Sequence, residues 1–202
     1  MNKIFILVII LLITISTVFA NQFARPDKDL NVNSWQNSPL FSKINETSPI
    51  DTNFIGSPLS GGSTNISLSS VTDPSSSTAH KISIRAKKFP IGVSGQTVTL
   101  NVILYQGSTQ IASFSNVLAG IFTTYTYNLT ATEADAITDY SNLTAAFVAT
   151  TDVTEPLKRA NVSWFQLEVP DAPAAINSHV IYNKENGELM LRGDNMMIFR
   201  GG

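Results

Sequence analysis

Apolar and polar side chains alternate with a period of two through the middle of the chain. In Lys81–Lys87, Ile82, Ile84 and Ala86 alternate with Lys81, Ser83, Arg85 and Lys87, the pattern of a strand with one buried face. In Thr97–Tyr105, Val98, Leu100, Val102 and Leu104 share one face, opposite Thr97, Thr99 and Asn101. Gln106-Gly107-Ser108 then makes a tight hairpin into Thr109–Val117. Phe122–Leu129 alternates again, with Thr123, Tyr125, Tyr127 and Leu129 opposite Phe122, Thr124 and Thr126. Leu143–Thr150 and Ala160–Val169 are more continuously apolar, and Pro170 stops the second. Upstream, Asp51–Ile55 and Ile66–Val71 read as short strands around a Ser/Gly/Pro turn at Ser57–Thr64. Asp73–Thr78 and Phe89–Gln96 read as a loop and a turn.

One segment breaks the strand rhythm. Thr130 and Glu133 stand three apart, a capping box in which the Thr hydroxyl accepts the Glu amide and the Glu carboxylate reaches back. Ala134, Ile137 and Tyr140 share a stripe, so a helix of about three turns is expected. Short strands at this spacing with one short helix predict an all-β fold, an antiparallel β-sandwich of jelly-roll type.

The ends differ from the middle. Residues 1–20 read as a signal peptide: Lys3, an unbroken apolar run Ile4–Ile13, and Val18-Phe19-Ala20 before Asn21. Thr14–Ala20 extends the run enough to leave a retained anchor as the alternative, the one route to a membrane. Residues 21–50 read as an irregular segment with Trp35, Leu40, Phe41 and Ile44 as apolar anchors. Residues 51–171 are the expected sandwich, and 172–202 a linker and a C-terminal β-hairpin tail. In that tail Val180–Tyr182 and Glu188–Leu191 flank a turn at Asn183–Gly187, and Asn195–Phe199 adds a strand. Such strands suit self-association by strand addition to a neighbouring copy.

Composition narrows the function. A net charge of −2 with no long basic run argues against nucleic acid as a partner. Arg85, Lys87 and Lys88 read as a solvated strand end. The chain has no cysteine, which removes thiol catalysis and means that an exported form holds together by packing alone. His80 and His179 are the two imidazoles, and no Gly-x-Ser-x-Gly elbow surrounds a serine. His80, just before a strand, reads as a loop hydrogen-bonding group. Glu133, Asp135 and Asp139 read as helix-capping and dipole acids rather than a glycosidase pair. No catalytic residue, resident cofactor or resident metal is assigned. Calcium is the one metal weighed, on the loop acids Asp27, Asp29, Asp51 and Asp73, which lack EF-hand spacing.

Two surface chemistries remain. Trp164, Tyr105, Tyr125 and Tyr127 are candidate members of an aromatic platform for a glycan, against the commoner fate of core packing. For Trp164, the opposite face of its strand is claimed by Phe165, Leu167 and Val169, so either both faces are covered or a bulge intervenes. Asn45, Asn65, Asn128, Asn142 and Asn161 each begin an Asn-x-Ser/Thr sequon, with Asn45 and Asn65 favoured because they border irregular stretches. Arg192-Gly193-Asp194 reads as a turn rather than an adhesion tripeptide.

Several words recur in order: Arg25-Pro26, Trp35, Ile44-Asn45-Glu46, Pro49, Asp51, Phe54-Ile55 and His80. Further on come Leu129-Thr130, Glu133-Ala134-Asp135-Ala136-Ile137, Asp139-Tyr140, Leu143, Ser163-Trp164 and Glu168-Val169-Pro170. In these the chain resembles a family of uncharacterised β-sandwich proteins of phage and environmental microbial genomes. The resemblance implies a structural or surface role with no assigned catalytic residues. The expectation is a secreted or cell-surface sandwich acting as a non-enzymatic structural component, with a carbohydrate-binding module as the alternative.

Overall fold

The computed structural model describes residues 21–89, 97–152 and 158–172 in full. It also gives the backbone of strands at 179–182, 189–193 and 196–199. The expected signal peptide at 1–20, the turn expected at 89–96 from residue 90 on, and the tail turn expected at 183–187 lie outside the described residues.

The fold is an all-β sandwich of antiparallel strands. β1 (Asn21–Ala24), β10 (Arg159–Pro170), β5 (Lys81–Phe89) and β8 (Thr123–Asn128) lie in that order in one sheet. β3 (Ile55–Gly56) pairs with β10 beside β1. The facing sheet runs β2 (Pro26–Asn31), β4 (Gly62–Leu68), β9 (Leu143–Thr151), β6 (Val98–Gln106) and β7 (Thr109–Val117). The pairings β6·β7, β5·β8, β4·β9 and β1·β10 are nested. The chain is therefore one long hairpin folded over itself, the jelly-roll topology expected. Its tip is Gly107, at φ 57°, a left-handed position that suits glycine in a tight hairpin. Beyond Asp171, β11 (His179–Tyr182), β12 (Leu189–Gly193) and β13 (Met196–Phe199) form a three-stranded sheet and, among the described residues, pair with one another alone.

The alternation read from the sequence decides what is buried. Ile82, Ile84 and Ala86 of β5 and Val98, Leu100, Val102 and Leu104 of β6 all turn inward. Ala145, Phe147 and Ala149 of β9 meet Ala160, Val162, Phe165, Leu167 and Val169 of β10 across the interior. Phe147 is its centre, edge-on to Phe165 at 5.4 Å between ring centroids and tilted on Trp35 at 6.3 Å. Each such side chain contributes about 1.5–3 kcal/mol on full burial.

Four expectations change, the simplest being that Asp51–Ile55 is a turn in which only Ile55 joins a strand. Residues 21–50 are not simply irregular, because β1 and β2 occupy their first third. Their polar composition is that of edge strands, with Asp27 and Lys28 exposed, while Arg25-Pro26 carries the chain from one sheet to the other. Trp35, Leu40 and Ile44 are buried as anchors. The capping box forms, but its helix α1 spans only Ala131–Asp135. The Gln106 side-chain oxygen takes the backbone N–H groups of Thr138 and Asp139, at 2.7 and 2.9 Å, and so ends the helix. Finally, the strand expected at Ile66–Val71 begins earlier, at Gly62. Gly61 turns the chain into it at φ +84°, where an added Cβ would lie 2.4 Å from the Ala149 carbonyl oxygen.

Candidate functional site

The four aromatic candidates are not brought together. Trp164 follows a register shift in β10 and turns to the outer side of its sheet. There the segment after Ile44 covers it, and it is 7% exposed with Nε1 donating to the Glu46 carbonyl at 2.8 Å. Both readings weighed for its strand hold at once: a bulge intervenes, and both faces are covered. Trp164 is thus a packing residue and presents no platform. Tyr125 and Tyr127 are half-buried against the core. The Tyr125 hydroxyl accepts the Ala119 N–H. Tyr127 stacks on Phe114 at 5.1 Å and donates to the Glu133 carboxylate at 2.9 Å. Burial opposes ionisation of Glu133, but bonds from the Thr130 amide and hydroxyl and from Tyr127 outweigh it and hold the carboxyl below its usual range.

Only Tyr105 remains on a broad surface. It lies on the outer face of the β2-β4-β9-β6-β7 sheet, where the register sets out rows of side chains. One row is Ser67, Thr144, Tyr105 and Gln110; the next is Asn65, Ala146, Ile103 and Ser113. A third is Ser63, Val148, Asn101 and Ser115, and Thr150, Thr99 and Val117 complete the face. None of these residues is charged. Charged side chains stand at two margins: Lys28 beside Ser67 on β2, and Asp152, which accepts the Thr97 N–H beyond the Thr99 row. The Asn101 carbonyl oxygen accepts the hydroxyls of Ser113 and Ser115, at 3.0 and 3.2 Å. Its amide N–H groups are left as donors. Period-two alternation showed that Thr99 and Asn101 face outward, but their neighbours depend on strand order, so the face itself was not legible.

The other candidates resolve into structural roles. His80 is 1% exposed. Nδ1 lies 3.0 Å from the Thr78 carbonyl, which can only accept, so the proton sits on Nδ1 and Nε2 accepts from Tyr140 Oη at 2.7 Å. Burial pushes the His80 imidazole below its usual pKa, and burial lifts the Tyr140 phenol to about 12. Asp51 takes both Arg85 Nε and Nη2, at 2.7 and 2.6 Å, and the Ser163 hydroxyl at 3.0 Å. The Arg85 bonds lower its carboxyl pKa in spite of partial burial. The loop acids weighed for calcium are dispersed. Asp29 accepts the Leu40 and Phe41 N–H groups, Asp73 accepts the Ser75 N–H, and Asp27 is exposed on β2.

The sequons separate by accessibility. Asn128 and Asn142 are exposed, Asn45 and Asn65 are half-buried, and Asn161 is 2% exposed within β10. Asn65 lies inside β4 rather than beside an irregular stretch, and Asn161 is closed to an enzyme in the folded chain. Arg192 and Gly193 end β12, while Asp194 lies outside the described residues.

No protein-family model matches the chain, and no curated protein matches it. Among solved structures it is similar to one described as "CBM4 structure and function", at 11% identity and a TM-score of 0.39. The match covers 74% of this chain and 95% of that one. The jelly roll assigned above rests on the strand pairing itself.

Proposed function

We propose that the protein is an exported, non-enzymatic jelly roll that binds neutral glycan chains on the outer face of the β4-β9-β6-β7 sheet. The observation that carries this reading is the uncharged face of hydroxyls and amides around Tyr105. Neutral sugars present both donors and acceptors, and the Asn65 and Asn101 amides match both. Tyr105 and Ile103 offer apolar area to the C–H side of a pyranose ring. Hydrolysis of a glycoside calls for a pair of carboxylates about 5–10 Å apart, and this face carries none. The test is retention on neutral polysaccharides in affinity electrophoresis. Wild type is expected to be retarded, and Tyr105→Ala to weaken binding roughly three- to tenfold, the worth of one aromatic contact. Wild-type migration unchanged by every neutral polysaccharide would overturn the reading.

A second reading, a surface or assembly component, is favoured by a different observation. The tail strands form a sheet of their own, β11-β12-β13, that shares no strand pairing with the sandwich among the described residues. It also agrees with the family resemblance.

A further inference from the structure

A smaller site of opposite character lies in the chain between β2 and β3. The short 3-10 turn Phe41–Lys43 and the turn leading into β3 enclose a cleft of about 390 Å³, lined by Asn37, Ser38, Lys43, Thr52, Asn53 and Phe54. That is near the small end of ligand pockets, about 300–1,000 Å³, and suits a single sugar ring better than a peptide. Its walls are fixed in advance. The Asn37 amide donates to the Phe54 carbonyl at 2.9 Å, and the Asn53 amide is held by the Glu46 carboxylate. The Asn53 backbone N–H bonds the Ile50 carbonyl at 2.9 Å, and Asp29 clamps the first N–H groups of the 3-10 turn. A preformed pocket loses little ordering entropy on binding.

What this rim leaves open is specific. The side-chain oxygens of Asn37 and Asn53 remain as acceptors, and the Ser38 and Thr52 hydroxyls bond to no other described residue. Phe54 supplies an apolar wall. Lys43 is half-buried and has no ion pair among the described residues. Of the acids near it in sequence, Asp29 is held by the turn and Asp51 by Arg85, while Glu46 holds the Asn53 amide through Oε1 and has a buried Oε2 with no hydrogen bond among the described residues. No acidic side chain lines the cleft. An ammonium with no ion pair among the described residues favours an incoming anion, while hydroxyls, amide oxygens and a ring wall favour a pyranose.

We infer that this cleft binds a sugar carrying a carboxylate, a hexuronate, with Lys43 taking the carboxylate and the Asn37, Ser38, Thr52 and Asn53 side chains taking ring hydroxyls. The site goes beyond the neutral-glycan face, with which it shares no residue. The probes are D-glucuronate and D-galacturonate, with D-glucose, D-galactose and acetate as comparisons, titrated into the isotopically labelled full chain and read by amide chemical shifts. At least one uronate is expected to move amides of residues 37–43 and 52–54, and to bind about tenfold or more tighter than its neutral parent and than acetate. Lys43→Gln should abolish the preference for uronate over the neutral parent while leaving the rest of the spectrum in place. Tyr105→Ala should leave uronate binding unchanged, which separates this site from the neutral face. Absence of shifts with both uronates up to about 20 mM, weaker than any useful millimolar site, would overturn the proposal. So would acetate binding as well as the sugars do, or shifts that map to the Tyr105 face.

Discussion

His80 is a buried base whose two ring nitrogens are both committed, to the Thr78 carbonyl and the Tyr140 hydroxyl. Asp73 and Asp135 attract a proton toward it, but burial outweighs them and favours the neutral ring. Since the unfolded chain takes up that proton more readily, stability is complete above the ordinary histidine value near 6.5 and falls as pH drops below it toward the lower folded value. Urea unfolding at pH 7.5, 6 and 5 should show that decline, and His80→Gln should flatten this upper part of the curve. Glu133 and Asp51, with carboxyl pKa values held down, account for a separate loss at more acidic pH. The sequence placed His80 correctly as a hydrogen-bonding residue ahead of a strand. Its partner was not legible, because Tyr140 lies 60 positions away, and periodicity reports the face of an element, not its neighbour. Trp164 makes the same point, since its indole N–H is satisfied by a carbonyl 118 positions away.

At the scale of elements, α1 separates what local chemistry sets from what packing sets. The start of the helix was legible because a capping box is local: Thr130 and Glu133 satisfy each other in the structure as in the sequence. Thr130→Ala should therefore cost about 1 kcal/mol, the usual worth of an N-cap, in chemical denaturation. The length was not legible. Ile137 and Tyr140 are buried as their stripe required, at 5% each, yet they reach the core from a non-helical chain. A glutamine on β6 supplies the acceptor that the next helical turn would have supplied. The outer face around Tyr105 is an element-scale surface in the same sense, since its rows exist only once β4, β9, β6 and β7 are set side by side.

For the whole molecule, nested pairing puts the sequence-distant strands β1 and β10 together, and the inner strands β6 and β7 adjacent in the chain. The innermost pair had a readable turn, and the jelly roll was anticipated from the rhythm of alternating short strands. β1 and β2 were missed because an edge strand with charged side chains has the composition of a loop. The tail takes no part in the described pairings of the sandwich. Truncation after Asp171 should thus move the thermal midpoint by less than about 3 °C, the shift expected for under 1 kcal/mol at this size. If the tail joins copies, the same truncation should lower the mass measured by light scattering. One register pair has a further bearing on how the protein is held in place. Asn21 sits opposite Pro170, so the two ends of the described sandwich lie at one corner. A tether at either terminus then grips the molecule by one pole. The Tyr105 face is then left facing sideways, open to passing chains, with the turn at Gly61 at the far end from the attachment.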